Sequence, residues 1–236
     1  MRAIALRLEG PLQSWGGPVA GDDRPTLDVP TKSGVVGIVA AALGIERDDV
    51  AALAELHRGV AVHMRVDARG RRGIDFHTSL EVPQADGKLR KNPVVSRRSY
   101  LYDASFVALL VDRWEAGLDM EGLLEAMQYP RFLPYLGRKA CVPSLPMLAA
   151  PEIIDDGTWS DLFDHVAFSP NHPPPEGPEE FFLEGRHTDD GVVRTLRLRD
   201  EFVGPLPRMF GERIVTHVRR ASQAGAGDTV DPWYPL

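Results

Sequence analysis

The sequence predicts an α+β fold, and three observations carry that reading. Short stretches of period-two alternation recur along the chain. Between them lie segments with apolar residues at helical spacing, bounded by capping and stop residues. An Arg-, Lys- and Gly-rich stretch without a core pattern sits between two of the strands and carries a turn signal. With 236 residues, 43% of them apolar, the chain can bury one large core or two small ones.

The elements follow in order. From Met1 to Glu9, Ile4, Leu6 and Leu8 face one way and Ala5, Arg7 and Glu9 the other, the pattern of a half-buried strand. Gly10 and Pro11 are expected to end it, and Gly16-Gly17-Pro18 marks a loop. From Thr31, residues Val35, Ile38, Val39, Ala42 and Leu43 recur at helical spacing. Thr31 or Ser33 suits the N-cap and Gly44 the C-terminal cap. A shorter helix is expected from Asp48 to His57. Val60, Val62, Met64 and Val66 then alternate as a second strand, which places His63 on its polar face.

Residues 68–100 read as a projecting hairpin, roughly Ile74–Val82 paired with Val94–Tyr102, with Asp86-Gly87 at the turn. The apolar run Ala104–Val111 suits a central strand. Asp119–Gln128 carries a helical stripe ended by Pro130. An irregular loop holding Pro134, Gly137, Pro143 and Pro146 follows, then a possible strand at Met147–Ile154. Strand, helix, strand, hairpin, strand, helix, loop, strand matches a ferredoxin-like or RRM-like arrangement. Residues 170–180 (PNHPPPEGPEE) read as a Pro-rich acidic loop, Val192–Leu198 and Arg213–Val218 as strands, and the tail from Ser222 as frayed. This divides the chain into an RRM-like part, 1–150, with its thumb at about 74–102, and a β-rich extension, 151–236.

Cys141 is the single cysteine, so no disulfide framework is possible and a reducing cytoplasm is the natural compartment. No apolar run is long enough to span a bilayer, and the opening residues are too alternating for a secretion signal. The net charge of −7 argues mildly against nucleic acid, but its distribution argues the other way. Residues 57–100 hold ten Lys or Arg against four Asp or Glu, and 129–150 hold three basic residues and no acid. Residues 151–191 hold eleven acids and one Arg. A polyanion responds to such blocks separately, although charge runs by themselves more often mark solvated faces.

The histidines are scattered and Cys141 has no partner at zinc-site spacing, so neither a metal nor a cofactor is expected. Pro30-Thr31-Lys32-Ser33-Gly34 resembles the end of a Walker motif, but the upstream glycines have the wrong spacing. Helix-start N–H groups, two hydroxyls and a lysine still suit a phosphate, and simple capping explains the same residues. Trp15, in a Gly-rich loop, suits base stacking or the core. Tyr100, Tyr102, Tyr129 and Tyr135 lie near basic residues and leave the same two readings.

Together, LRLEGPLQSWG, RPTLDVPTKSGVVGIVAAALGI, FHTSL, SYLYDASFVALL and PRFLPYLGRKACVPSLP resemble the CasD family of type I-E CRISPR Cascade, within the RAMP superfamily. The resemblance runs from Met1 to about Met147, with an echo at Val192–Val218. It implies an RRM-like RAMP domain with a β-hairpin thumb. It also implies a non-catalytic subunit that caps the 5′ handle of the CRISPR guide RNA. Implied partners are the backbone subunit CasC and the large subunit CasA, with target DNA met only through the complex and no membrane. Carried onto this sequence, the RNA site draws on Gln13, Ser14, Trp15, Arg24, Thr31, Lys32, Ser33 and Gly34. The thumb adds Lys88, Arg90, Lys91, Arg97 and Arg98, and the glycine-rich loop adds Tyr135, Gly137, Arg138 and Lys139.

Three other readings stand beside this one. Type I-C relatives cut precursor RNA, and His77, Tyr100 and Lys32 or Lys139 are candidates for a metal-independent endoribonuclease set. A stand-alone RRM-type binder lacks its RNP1 pattern in the expected central strands. A pure scaffold would leave the charge blocks as solvated faces.

Overall fold

The first strand, β1 (Arg2–Gln13), runs past Gly10 and Pro11 in the computed structural model, which describes residues 1–17, 19, 21–84, 86–113, 118–188, 190–204 and 209–222. The expected stop fails because β1 stays paired with β5 (Val94–Asp112) as far as Gln13, opposite Leu101. Nor is β1 half-buried. Ile4, Leu6 and Leu8 enter one apolar cluster, while Ala3 and Ala5 enter a second on the opposite face of the sheet. The run Ala104–Val111 explains this: alternate residues of β5 supply both clusters, as a strand covered on two sides must.

Helices cover the first face. Helix α1 (Lys32–Leu43) starts at Thr31, whose hydroxyl accepts the Gly34 N–H at 3.1 Å, and stops at Gly44, which sits at φ 76°. Asp49 caps α2 (Val50–Gly59) and Asp119 caps α3 (Met120–Gln128) in the same way. The second face is covered by residues 149–166, including α4 (Trp159–Asp164), an element with no expectation attached to it. Met147–Ile154 is not a full strand. It contributes a single bridge, Leu148 to Leu6, and the two-residue β6 (Ile154–Asp155) beside β1.

Strand β3 (Val60–Ala68) and strand β4 (Arg71–Ser79) both pair antiparallel with β5, one after the other. The thumb is therefore a continuation of the central ladder and no separate insertion. The kink lies at Gly70, φ 65°, where a Cβ would come within 2.3 Å of the Tyr102 carbonyl oxygen, and at Asp103, φ 54°. The expected hairpin forms with Val94–Tyr102 as its second strand, but its first strand lies three residues earlier than expected, with Arg71 opposite Tyr102 and Ser79 opposite Val94. At its tip the N–H of Gly87 bonds Gln84 and the N–H of Arg90 bonds Val82. Strand β2 (Asp23–Arg24) runs parallel to β5 beside Arg97 and Arg98.

Strands β7 (Glu179–Glu184), β8 (Val192–Gly204) and β9 (Met209–Arg220) extend the same sheet, because β7 pairs with β3. Among the described residues the sheet order is β6-β1-β5-β3-β7-β9-β8, with β2 and β4 attached to β5. The α+β class expected from the sequence is the class found. Strand β7 begins inside the segment expected to be loop, where Phe181 and Phe182 belong to opposite clusters. The tail expected to fray lies, from residue 223, outside the described residues. No described helix is long and apolar enough to cross a membrane.

Candidate nucleic-acid interface

The start of α1 is buried. Lys32 has no exposed surface, and its ammonium lies 3.0 Å from Glu184 and 2.8 Å from Glu201. Its backbone N–H, one of the free donors of the helix start, donates to Asp200 Oδ2 at 2.7 Å. Asp200 is in turn gripped by Arg213, with Nε to Oδ1 at 2.7 Å and Nη2 to Oδ2 at 2.8 Å. Glu184 also pairs with Arg113 and accepts the Val62 N–H. Burial pushes the Glu184 carboxyl up, but Lys32, Arg213 and the Val62 N–H hold it below the usual value.

The helix start thus binds an anion, as the sequence suggested, but the anion is the protein's own carboxylate. This corrects the placing of Lys32 and Thr31 on an RNA surface: one is sealed among acids, and the other spends its hydroxyl on the cap. Ser33 is half-buried with its hydroxyl 3.3 Å from that of Thr31. Gly34 lies against Trp15, where a Cβ would stand 2.9 Å from the indole.

Trp15 itself is 1% exposed, and its indole N–H donates to Gln13 Oε1 at 2.8 Å. Gln13, fully buried, donates to the carbonyls of Leu8 and Ala104. Both side chains are buried and bonded within the core, so the RNA-contact role expected of Gln13 and Trp15 is corrected to a core role. His63 is a further correction. It is buried, and its Nδ1 accepts the Glu184 N–H at 3.0 Å. Burial pushes its pKa down to about 4. The polar face of β3 is covered by the chain: Arg65 donates to the carbonyls of Phe163 and Val166.

The remaining candidates are spread from the root of the thumb to its tip. Lys88, Arg90 and Lys91 are exposed at the tip, Arg97 is exposed on β5, and Lys139 is exposed on the glycine-rich loop. Arg24, Arg98, Tyr135 and Arg138 are half-buried among them. Arg98 donates to the Ser96 hydroxyl at 3.2 Å. Gly137 adopts φ 88°, and a Cβ there would fall 1.7 Å from the Ser14 carbonyl oxygen. Ser14 is buried, with its N–H on the Leu136 carbonyl and its hydroxyl 3.3 Å from the Ser99 carbonyl. The loop, β1 and β5 therefore meet at one point.

Exposed aromatic and apolar side chains accompany these cations. Phe76, 65% exposed, sits directly opposite Arg97 on the thumb, and Tyr129, 79% exposed, lies beside Arg131. Tyr129 was legible as an aromatic near basic residues. Phe76 opens the FHTSL stretch of the family resemblance, which attached no site role to it. Lys32's partners in β7 and β8, roughly the far end of the chain, carried no signal near Lys32 at all.

A family model for "CRISPR-associated protein (Cas_Cas5)" matches residues 3–216. The chain belongs to the Cas5 family. The "CRISPR system Cascade subunit CasD" of Escherichia coli (strain K12) is 33% identical over 221 residues, covering 89% of this chain and 92% of that protein. A chain from a structure titled "CRISPR RNA-guided surveillance complex" superposes with TM-score 0.76 at 28% identity, covering 97% of this chain and 95% of its own. A "Crystal structure of Cas protein" gives TM-score 0.69 at 30% identity, covering 93% and 95%. In this Cas5 chain the stretch PTKSG contributes Lys32 to the buried charge cluster, and the stretch PYLGRKAC builds the loop at the thumb root.

Proposed function

We propose that this Cas5 chain is a non-catalytic subunit of a type I-E Cascade complex that grips the 5′ handle of the guide RNA. In this reading the thumb meets the backbone subunit CasC, and the body of the chain also contacts the large subunit CasA. Target DNA is met only through the assembly, and residues 151–236 serve to anchor the RNA-holding part. The observation that carries the reading is the run of cations from Lys139 through Arg24, Arg97 and Arg98 to Lys88, Arg90 and Lys91. These cations extend from the root along β5 to the tip, with Arg97 and Arg98 on opposite faces of the ribbon, and so offer several separated contacts to successive phosphates. Within the assembled complex, affinity for handle RNA should fall steeply with salt, with a log–log slope of about −0.7 per phosphate contact. A flat salt response, or equal binding of an unrelated RNA, would remove the reading.

The geometry also favours holding RNA over cutting it. Tyr100 is 6% exposed beneath Arg138, and Lys32 is sealed in its carboxylates. His77 is exposed, but it pairs opposite Ser96, four residues along β5 from Tyr100 and so about 13 Å away. Groups so spaced do not converge on one phosphodiester. Incubation with repeat RNA should leave it whole, with or without magnesium. A specific cut at the base of the handle, abolished by His77→Ala, would establish the endoribonuclease alternative instead.

A further inference from the structure

Two of the five N–H donors of Arg138 are already committed within the chain, one on each Nη. Its Nη1 donates to the Ser99 carbonyl at 2.9 Å and its Nη2 to the Arg24 carbonyl at 2.8 Å. The guanidinium carbon lies 4.6 Å from the centre of the Tyr100 ring. Those three groups mark the place where the thumb leaves the body. Pairing between β1 and β5 ends at Gln13 and Leu101, so Ser99 and Tyr100 lie just beyond the last rung. Arg24 belongs to β2, the short strand that flanks β5 at Arg97 and Arg98. The loop carrying Arg138 is itself fixed to the body. Ser14 N–H bonds Leu136, Cys141 N–H bonds Arg138, and Gly137 packs on Ser14.

We infer that Arg138 is a positioning residue that sets the angle of the thumb, and that it is not itself a phosphate ligand. The inference rests on the handle-binding reading and deepens it. A planar fork can tie two adjacent strands at a fixed spacing while its flat face rests on an aromatic ring; a tetrahedral ammonium on a flexible stem has the donors but not that fixed planar geometry. Leverage makes the tie matter. From Ser99 to Pro93 the ribbon extends about 20 Å, so a 10° change at the root moves the tip by about 3.5 Å. That displacement exceeds the tolerance of a phosphate hydrogen bond. Lys88, Arg90 and Lys91 act together on one RNA only if the root holds them.

The test has an arm that needs no RNA. Spin labels at Lys91→Cys and Glu125→Cys, both exposed sites, report the thumb-to-body distance; Cys141 is fully buried and is spared. Arg138→Lys should broaden that distance distribution relative to the unsubstituted root. An unchanged distribution would overturn the inference, whatever RNA does. The second arm measures handle-RNA affinity in the assembled complex. Arg138→Lys, which keeps the charge, should lose about as much affinity as Arg138→Gln, on the order of tenfold. Combined replacement of Lys88, Arg90 and Lys91 by Ala should then cost far less than it does beside intact Arg138. Rescue by Lys, or effects that simply multiply, would make Arg138 a direct ligand. Should both substitutions at Arg138 unfold the chain, Tyr100→Leu supplies the second variant: it should broaden the same distribution, and a sharp distribution would again overturn the inference. Handle RNA that fails to bind the unsubstituted complex, with the distance result intact, would remove the functional reading alone.

Discussion

Two cations, Lys32 and Arg138, each stand in a sequence motif that reads as a phosphate contact, and the structure uses them in opposite settings. Lys32 is surrounded by carboxylates, with Glu184, Glu201 and Asp200 reaching it or its N–H from strands that follow it by some 150 residues. Arg138 is half-exposed and faces neutral carbonyls and a ring. The first setting is a matter of charge balance: remove the cation and buried acids lose their counter-ion. The second is a matter of shape: the partners are two carbonyls and a ring, and the planar fork is what counts. A motif tells which residue is present, and the groups that face it decide whether it stabilises, positions or binds.

The largest effect is expected at Lys32. Lys32→Ala leaves Glu184 and Glu201 short of a counter-charge, and should cost about 3–5 kcal/mol in denaturant unfolding. Handle affinity per folded molecule should stay unchanged. Normal stability with weakened RNA binding would reverse the contrast and return Lys32 to the interface.

Acid should act on the same buried region. His63 is depressed to about 4 from 6.5, so the unfolded chain takes up its proton first as pH falls. Stability should therefore be complete above about pH 6.5 and decline toward pH 4, and the depressed Glu184 carboxyl adds a further loss below its ordinary value of 4.5. His63→Asn keeps an acceptor near the Nδ1 position and should flatten the melting-temperature profile between those limits. An unaltered profile would separate His63 from the cluster.

Gly137→Ala sharpens the other side of the comparison. It forces an alanine to φ 88°, at a cost of about 1–3 kcal/mol, and sets a Cβ against the Ser14 carbonyl, so the backbone must also shift and the total loss is larger. Because this loop carries the thumb-setting arginine, handle binding should weaken as well, unlike the Lys32 variant. The smallest effect on stability is expected at the tip. The described residues from 84 to 92 are exposed, so replacing that segment by a short turn should change monomer stability by less than about 0.5 kcal/mol. Assembly with guide RNA should nevertheless fail, and normal assembly would take the thumb out of the mechanism.

Short-range signals were legible because their physics is short-range. The Thr31 and Gly44 caps of α1, the burial of Ala104–Val111 as a central strand and the existence of the hairpin around Asp86-Gly87 each depend on residues within a few positions or one turn, whereas the hairpin's register came out three residues from the expected one. The motifs PTKSG and PYLGRKAC likewise pointed to the family. Tertiary structure alone decided which polar groups are used up inside. His63 and Arg65 alternate as a solvent face would, yet β7 and residues 163–167 return to cover them. Trp15 sits in a loop by sequence and in the core by contact, and Lys32 meets its carboxylates only after β7 and β8 join the sheet. Burial and ion pairing are settled by which distant segment closes over a residue, and no window of neighbouring residues contains that segment.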